Sequence, residues 1–320
     1  MNYREQLFKC YDIYFEKYAN QAAVTLAHKK YVLDGFLRML PDDVSDITTA
    51  EILNWQSQFN VAPNTLNGHL AILRQFLIFI GSQGLHTAIP ILKKYSDDYV
   101  PYLFSQEDLL RLLEVADNNI SRSPVAATKT FCTPMILRLL ACCGTRLGET
   151  LSLEWEDYDE VAGVLICKKA KGKKERRVPL HFTLNKLLYK YKYQFQRRYG
   201  SCKFLFPDNS LTAHITKQQF EYEFNKICLR ANILPGKVKE LHRRGVCAHC
   251  LRHTFAVNSF RKSLETGADI TETVPVLSTY MGHERLQETE KYLKFSFDLF
   301  PDLEEVFGEY SSVVFEEGAL

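Results

Sequence analysis

Between Lys93 and Phe104 the chain drops the helical period it keeps up to that point, and that break limits it to a two-part fold. The stretch Lys93-Lys94-Tyr95-Ser96-Asp97-Asp98-Tyr99-Val100-Pro101-Tyr102-Leu103-Phe104 holds charge and a proline but neither a 3.6-residue nor a two-residue repeat. Upstream the reading is all helix. Segments at about Tyr3–Lys17 and Ala22–Met39 read as helical, and Thr48 or Thr49 can cap another over Ala50–Phe59, with Pro63 beyond it. Asn64 can cap a fourth, in which Leu66, Leu70, Leu73, Leu77 and Ile80 recur at helical spacing up to Gly81 and Gly84. At 320 residues the chain has room for two domains of about 100–200 residues each. The expected division is a helical domain over residues 1–97, a linker over 98–103 and a second domain over 104–320.

The second part is mixed. Ser105 and Asp108 form a capping box ahead of Leu109, Leu110, Leu112 and Leu113, and a helix over about Pro134–Cys143 stops at Gly144. Val164–Lys169 and Arg176–Leu180 alternate as strands, and Ala170–Glu175, with Gly172, turns between them as a β-hairpin. Helices are expected at about Thr183–Tyr199, Thr216–Ala231, Ala248–Lys262, Val274–Met281 and Glu284–Phe295. The fold class is therefore mainly α with a small β-hairpin or sheet, and no internal repeat is visible.

Charge is unevenly spread. The net charge is only +2, yet residues 295–320 carry seven acids (Asp298, Asp302, Glu304, Glu305, Glu309, Glu316, Glu317) and no Lys or Arg. Setting those seven aside leaves +9 on residues 1–294, and since residues 1–97 balance nine basic against nine acidic side chains, the surplus lies in 98–294. A basic domain with an acidic, partly apolar tail suits a phosphate-binding surface plus a docking terminus. No apolar run reaches the roughly 18 residues that span a bilayer, and the start Met1-Asn2-Tyr3-Arg4-Glu5 lacks a secretion-signal layout. A cytoplasmic, nucleoid-associated protein is expected. Nine cysteines make an odd set without framework spacing, which fits a reducing compartment. Cys247-Ala248-His249-Cys250 is a CxxC, but a closed zinc site needs about four ligands. With no second CxxC or HxxxH, these read as free cysteines packed on a helix, and no metal is expected.

The residues that carry chemistry come late in the chain. Tyr292 lies nine residues after His283, which follows Gly282. Upstream stand Arg146-Leu147-Gly148-Glu149 and His249-Cys250-Leu251-Arg252-His253. Attack on a phosphodiester gathers negative charge on the non-bridging oxygens, and fixed arginines suit it because the guanidinium fork donates in pairs and keeps its charge. Arg146 follows a helix end and can be aimed by a loop. Glu149, one turn on, can orient it. His249 and Arg252 share a helical face. His283, following Gly282, reads as the start of a helix, where backbone amides favour phosphate. Tyr292 can be a nucleophile if its proton is removed, since a free phenol titrates near about pH 10. Seven of the ten residues Lys168–Arg177 are Lys or Arg, enough to reach a DNA groove, with Lys171 at the tip as a candidate proton donor and Lys173 and Lys174 as its rivals.

In this order the motifs resemble those of the tyrosine recombinases, the phage-integrase and Xer-like group. Cys143-Gly144-Thr145-Arg146-Leu147-Gly148-Glu149-Thr150-Leu151 looks like the first-arginine box, and Lys171-Gly172-Lys173-Lys174-Glu175-Arg176-Arg177-Val178-Pro179-Leu180 like the lysine hairpin. His249-Cys250-Leu251-Arg252-His253-Thr254-Phe255-Ala256 resembles the HxLRHTFA box, and Met281-Gly282-His283 through Tyr292-Leu293 the GH…Y box. The resemblance covers about residues 98–295 and implies a helical core-binding domain that clamps DNA with an α+β catalytic domain. It implies Arg146, Lys171, His249, Arg252 and His283 as the phosphate-activating set, with Lys171 the general acid, Glu149 in support and Tyr292 forming a 3′-phosphotyrosyl link. Lys168, Lys169, Lys173, Lys174, Arg176 and Arg177 are expected on the DNA. No cofactor, metal or ATP is implied. The implied partners are double-stranded DNA at paired sites and three further copies of the chain, joined as a tetramer through a C-terminal segment from about residue 296.

Two features depart from compact Xer proteins. Cys142-Cys143-Gly144-Thr145 precedes the first arginine, and the stretch over Glu265–Thr273 is longer. A mobile-element integrase or transposase fits better than a housekeeping Xer enzyme. A catalytically silent DNA-binding regulator and a topoisomerase-like relaxing enzyme stay open as rivals. Failure of the native protein to form a DNA adduct would point to the first, and relaxation of DNA without a specific site to the second. His253 is read as structural, turned to another face than Arg252.

Overall fold

A computed structural model describes residues 2–93, 100–119, 124–168, 175–233 and 245–292. The chain divides into two compact units, Met1–Asp98 and Tyr99–Leu320.

The first unit has four helices, α1 (Tyr3–Lys17), α2 (Ala23–Leu37), α3 (Thr49–Ser57) and α4 (Pro63–Ser82). Capping boxes start two of them, Asn2 with Glu5 and Thr48 with Glu51. Leu7, Tyr14, Leu33, Phe36, Trp55, Leu73, Phe76, Leu77 and Ile80 fill one core, while Leu66 stays at its margin. The start of α4 corrects the expected Asn64 cap. Pro63 occupies the first turn and Ala62 is the N-cap, without a side-chain bond. Proline suits that place because the first-turn N–H groups have no helical partner in any case.

The second unit is built around α6 (Pro124–Cys143), preceded by α5 (Gln106–Asp117). Ile136, Leu137, Leu139 and Leu140 are all buried, and α6 packs against α5 and against later helices of the unit. It begins ten residues before the expected Pro134, which lies inside it. Proline favours a helix start, whereas here the surrounding core holds the helix through it. A short α7 (Leu147–Leu151) and a 3-10 turn (Trp155–Asp157) lead to three antiparallel strands, β1 (Tyr158–Asp159), β2 (Val164–Cys167) and β3 (Arg176–Pro179), in the order β1-β2-β3. The expected hairpin is β2–β3, with Leu165 opposite Val178 and Cys167 opposite Arg176; β1 adds a strand that two residues are too few to announce.

After α8 (Phe182–Tyr199) and α9 (Lys217–Arg230) come α10 (Ala248–Glu265) and α11 (Ile270–Met281). Helix α11 begins earlier than expected, because the Asp269 side chain caps it by accepting from the Thr271 N–H at 2.7 Å. Residues 287–292 are helical, so the last helix starts later than the expected Glu284. Residues 293 onward, with the acidic tail, lie outside the described residues. Ala256, Val257 and Phe260 of α10 pack with Val274, Leu277 and Met281 of α11 and with Tyr292 itself. The candidate nucleophile is therefore held by a hydrophobic cluster.

Candidate active site

Two helix ends and one strand build the site. Helix α6 ends at Gly144, whose φ of 57° is left-handed. A Cβ there would lie 2.3 Å from the ring of Phe255 on α10, so only glycine lets the two motifs close on one another. Two residues later Arg146 is the N-cap of α7, and the Glu149 carboxylate accepts from the Arg146 backbone N–H at 3.2 Å and from its guanidinium at 3.1 Å. The loop that aims Arg146 is thus fixed by the residue that neutralises it.

The second helix end is that of α11. Gly282 follows it at φ 68°, ψ 42°, and the His283 N–H reaches back to the Ser278 carbonyl at 3.0 Å. This left-handed ending leaves the last carbonyls without helical donors, and three guanidiniums take them. Arg176 donates to the Tyr280 carbonyl. Arg252 donates to that of Met281 at 2.9 Å, and Arg146 to Met281 at 3.4 Å and Gly282 at 2.9 Å. The negative end of the helix dipole favours the same cations. Arg252 also donates to the Gly144 carbonyl, which ties the end of α6 to α10.

Arg176 departs from its expected place on the DNA. Its side chain is only 7% exposed and pairs with Glu149 at 2.6 Å. Burial pushes the Glu149 carboxyl up, but Arg176 and then Arg146 outweigh it and hold the group below the usual carboxylate range. Two of the three guanidiniums pair with the one carboxylate, and the set of four side chains keeps two positive charges in surplus, which suits an anionic ligand.

Burial, then the charge of Arg252, Arg146 and Arg176, brings the His283 pKa down to about 3. The imidazole is therefore neutral at physiological pH. Its Nε2 lies 2.9 Å from an Arg252 nitrogen that can only donate, so Nε2 accepts and Nδ1–H donates to Thr289 Oγ1 at 2.6 Å. The His283 ring stacks on that of Tyr292, with centroids 6.0 Å apart and an interplanar angle of 15°. Tyr292 is 5% exposed. Burial pushes its phenol up, and Arg252, by charge and by a side-chain hydrogen bond, pulls against that rise. Arg252 is itself pulled down to about 10 by burial, and remains charged.

Five of the expected residues, Arg146, Glu149, Arg252, His283 and Tyr292, thus meet in one pocket. His249 is exposed and its ring meets that of His253 edge-on, with centroids 4.5 Å apart. His253, expected on another face than Arg252 and read as structural, has its ring 5.3 Å from that of Tyr292. His283 does not sit at a helix N-terminus; it follows the C-terminus of α11 and is positioned by Arg252 and Thr289. Lys168 pairs with Glu156 at 2.8 Å and Asp157 at 2.6 Å, and Arg177 is exposed on β3. Lys169, Lys171, Lys173 and Lys174 lie outside the described residues.

The inward role of Arg176 and the part of Thr289 are absent from the sequence expectation. A signal existed for both. Strand side chains alternate, so Arg176 shares the face of the apolar Val178, while Arg177 takes the other. Thr289 precedes Tyr292 by three residues and so shares its helical face.

Residues 103–298 match the phage integrase family. The chain belongs to that family. A Sinorhizobium fredii integrase-family relative, y4rB, named as an integrase/recombinase, is 29% identical over 274 residues, covering 82% of this chain and 84% of that one. Tyrosine recombinase XerD of Rhizobium meliloti is 28% identical over 266 residues, covering 81% and 79%. Among solved structures, XerH site-specific recombinase bound to palindromic difH substrate aligns with a TM-score of 0.68 at 20% identity, covering 98% of this integrase-family chain and 85% of that one. That likeness is one of fold.

Proposed function

We propose that the chain is a site-specific DNA recombinase that cuts and rejoins strands through a covalent bond between Tyr292 and a 3′ phosphate. The observation that carries this is Tyr292 held against Arg252, beside Arg146 and Arg176, with each guanidinium pinned from behind by carbonyls at the end of α11. Donors fixed before substrate arrives need no reorganisation when charge develops on the phosphate. The non-bridging oxygens would accept from Arg146 and Arg252, while Glu149 and Arg176 hold Arg146 in place. Tyr292 gives up its phenol proton to water, and its Oη attacks phosphorus. An Oη–P bond forms, the P–O5′ bond breaks, and a proton passes to the leaving 5′ oxygen. Lys171 is proposed as its donor, following the family's lysine hairpin. One phosphoester replaces another, so strand exchange needs no nucleotide hydrolysis, and the arginines supply the charge that the step requires.

DNA at paired sites is the proposed substrate, bound by a tetramer in which the segment from about residue 296 docks on a neighbour. A mobile-element integrase or transposase is the proposed subtype, which joining of excised element ends would test. The central experiment is a nicked suicide substrate carrying the recombination site. Native protein should give a covalent adduct that survives denaturation, and Tyr292→Phe none. An adduct from Tyr292→Phe would show that another residue is the nucleophile.

A further inference from the structure

We propose that Cys247 and Cys250 form a reversible disulfide, a redox modification site that takes low-molecular-weight disulfides as its oxidant. The two sulfurs are already 3.6 Å apart. A disulfide needs about 2.05 Å, so closure asks for an approach of about 1.5 Å. The backbone favours it. Cys247 is the N-cap of α10, with an extended φ of −144° and ψ of 166°, and the Cys250 N–H donates to the Cys247 carbonyl at 2.9 Å. The tight first turn therefore brings the two side chains to one side, while the N-cap residue stays outside the helix and can swing. Cys247 is partly exposed and Cys250 is buried, which divides their roles.

Cys247 is the attacking thiol. A hydrogen bond from Cys250, helped by the backbone amides of His249 and Cys250, outweighs burial and lowers its pKa, and the same pairing pushes the Cys250 thiol up. The Cys247 thiolate attacks one sulfur of the oxidant, forms a mixed disulfide and releases one thiolate. Cys250 then loses its proton and attacks Cys247 Sγ. The second thiolate leaves, and two electrons have passed to the oxidant. In a reducing compartment such a bond is transient, as redox-sensing disulfides are.

The bond would enclose Ala248 and His249. From His249 a run of rings leads to the nucleophile, His249 on His253 and His253 on Tyr292. Drawing the first turn of α10 together moves the base of that run, and misplacement by about 1 Å can slow a reaction up to about a hundredfold. Oxidation is thus expected to slow adduct formation by at least about tenfold, a consequence that rests on the recombinase reading.

The test equilibrates the full chain with glutathione disulfide, alkylates the remaining thiols and maps the cross-link by peptide mass. Adduct formation is followed before oxidation, after it, and after dithiothreitol. The expected result is a Cys247–Cys250 cross-link, a slower rate and full recovery on reduction. Cys247→Ser should keep the reduced rate and ignore the oxidant, and Cys250→Ala serves should the first variant fold poorly. Cys247 and Cys250 that remain alkylatable after oxidation would overturn the site. A cross-link with an unchanged rate would overturn its control of catalysis. If reduced native protein forms no adduct, the Tyr292 reading fails instead, and the peptide map still decides the disulfide.

Discussion

Replacing Gly282 by alanine should damage catalysis far more than folding, and the structure gives the size of each effect. Gly282 has φ 68°, and a Cβ there would meet Arg176 Cδ at 2.8 Å and Nε at 3.1 Å. Ordinary contact begins near 3.4 Å, so the Arg176 side chain must move by about half an ångström or more to keep carbon–carbon contact distances. It has little freedom, being held between Glu149 and the Tyr280 carbonyl. Gly267 is the control. Its φ is 71°, and a Cβ there would meet nothing within 4 Å. Left-handed alanine costs about 1–2 kcal/mol, offset by about 0.4–1 kcal/mol from the stiffer unfolded chain. Gly267→Ala should therefore lose about 1 kcal/mol in urea unfolding and keep its adduct rate. Gly282→Ala carries the same backbone strain plus a displaced Arg176, hence a displaced Glu149 and Arg146. A shift of up to about 1 Å can cost up to about a hundredfold, so its adduct rate on the suicide substrate should fall about ten- to a hundredfold. A Gly282→Ala rate within twofold of the Gly267→Ala rate would refute the claim that this glycine exists to admit Arg176.

Neighbouring Arg176 and Arg177 should separate cleanly. Arg177→Ala should weaken DNA binding evenly across sequences and lower the salt slope by about one, whereas Arg176→Ala should leave that slope alone and slow adduct formation; filter binding at stepped salt distinguishes them. Glu149→Gln keeps the shape but removes the charge that Arg146 and Arg176 share, so unfolding should show it destabilised by about 3 kcal/mol or more, as for a broken buried pair. The lowered pKa of His283 means that the folded form binds fewer protons than the unfolded one between the unfolded value of about 6.5 and about 3. Stability is thus present above the unfolded value and is lost as pH falls towards about 3. His283→Gln should flatten that part of the stability curve, and NMR of the imidazole should show no titration near neutral pH.

Much of the site was legible because its chemistry is local in sequence. The Arg146–Glu149 pair is a single helical turn, and the interval from His283 to Tyr292 is short enough for spacing to mean something. The helices of the first unit were legible for a similar reason, since Leu70, Leu73, Leu77 and Ile80 repeat on one buried face. What escaped was the part played by tertiary contacts. Proline marks a boundary only when propensity decides the matter: Pro63 lies beyond α3 as expected but also opens α4 in place of the expected Asn64 cap, and Pro134, expected to open a helix, lies inside one. The fate of Arg176 was set by strand pairing, which placed it opposite Cys167 and turned it inward with Val178.

The same contrast explains why the family's boxes can lie so far apart in the chain and still act as one site. Arg146 donates to a carbonyl 136 residues away, Arg176 to one 104 away and Arg252 to one 29 away, all within the last turn of α11 and the glycine after it. Those carbonyls would be unsatisfied in any helix that ended so, and each guanidinium would be costly to bury without an acceptor. Each requirement meets the other. The end of α11 is therefore the fixed point of the pocket, and Gly282, which carries no side chain to react, is as necessary to the arginines as the arginines are to a phosphate.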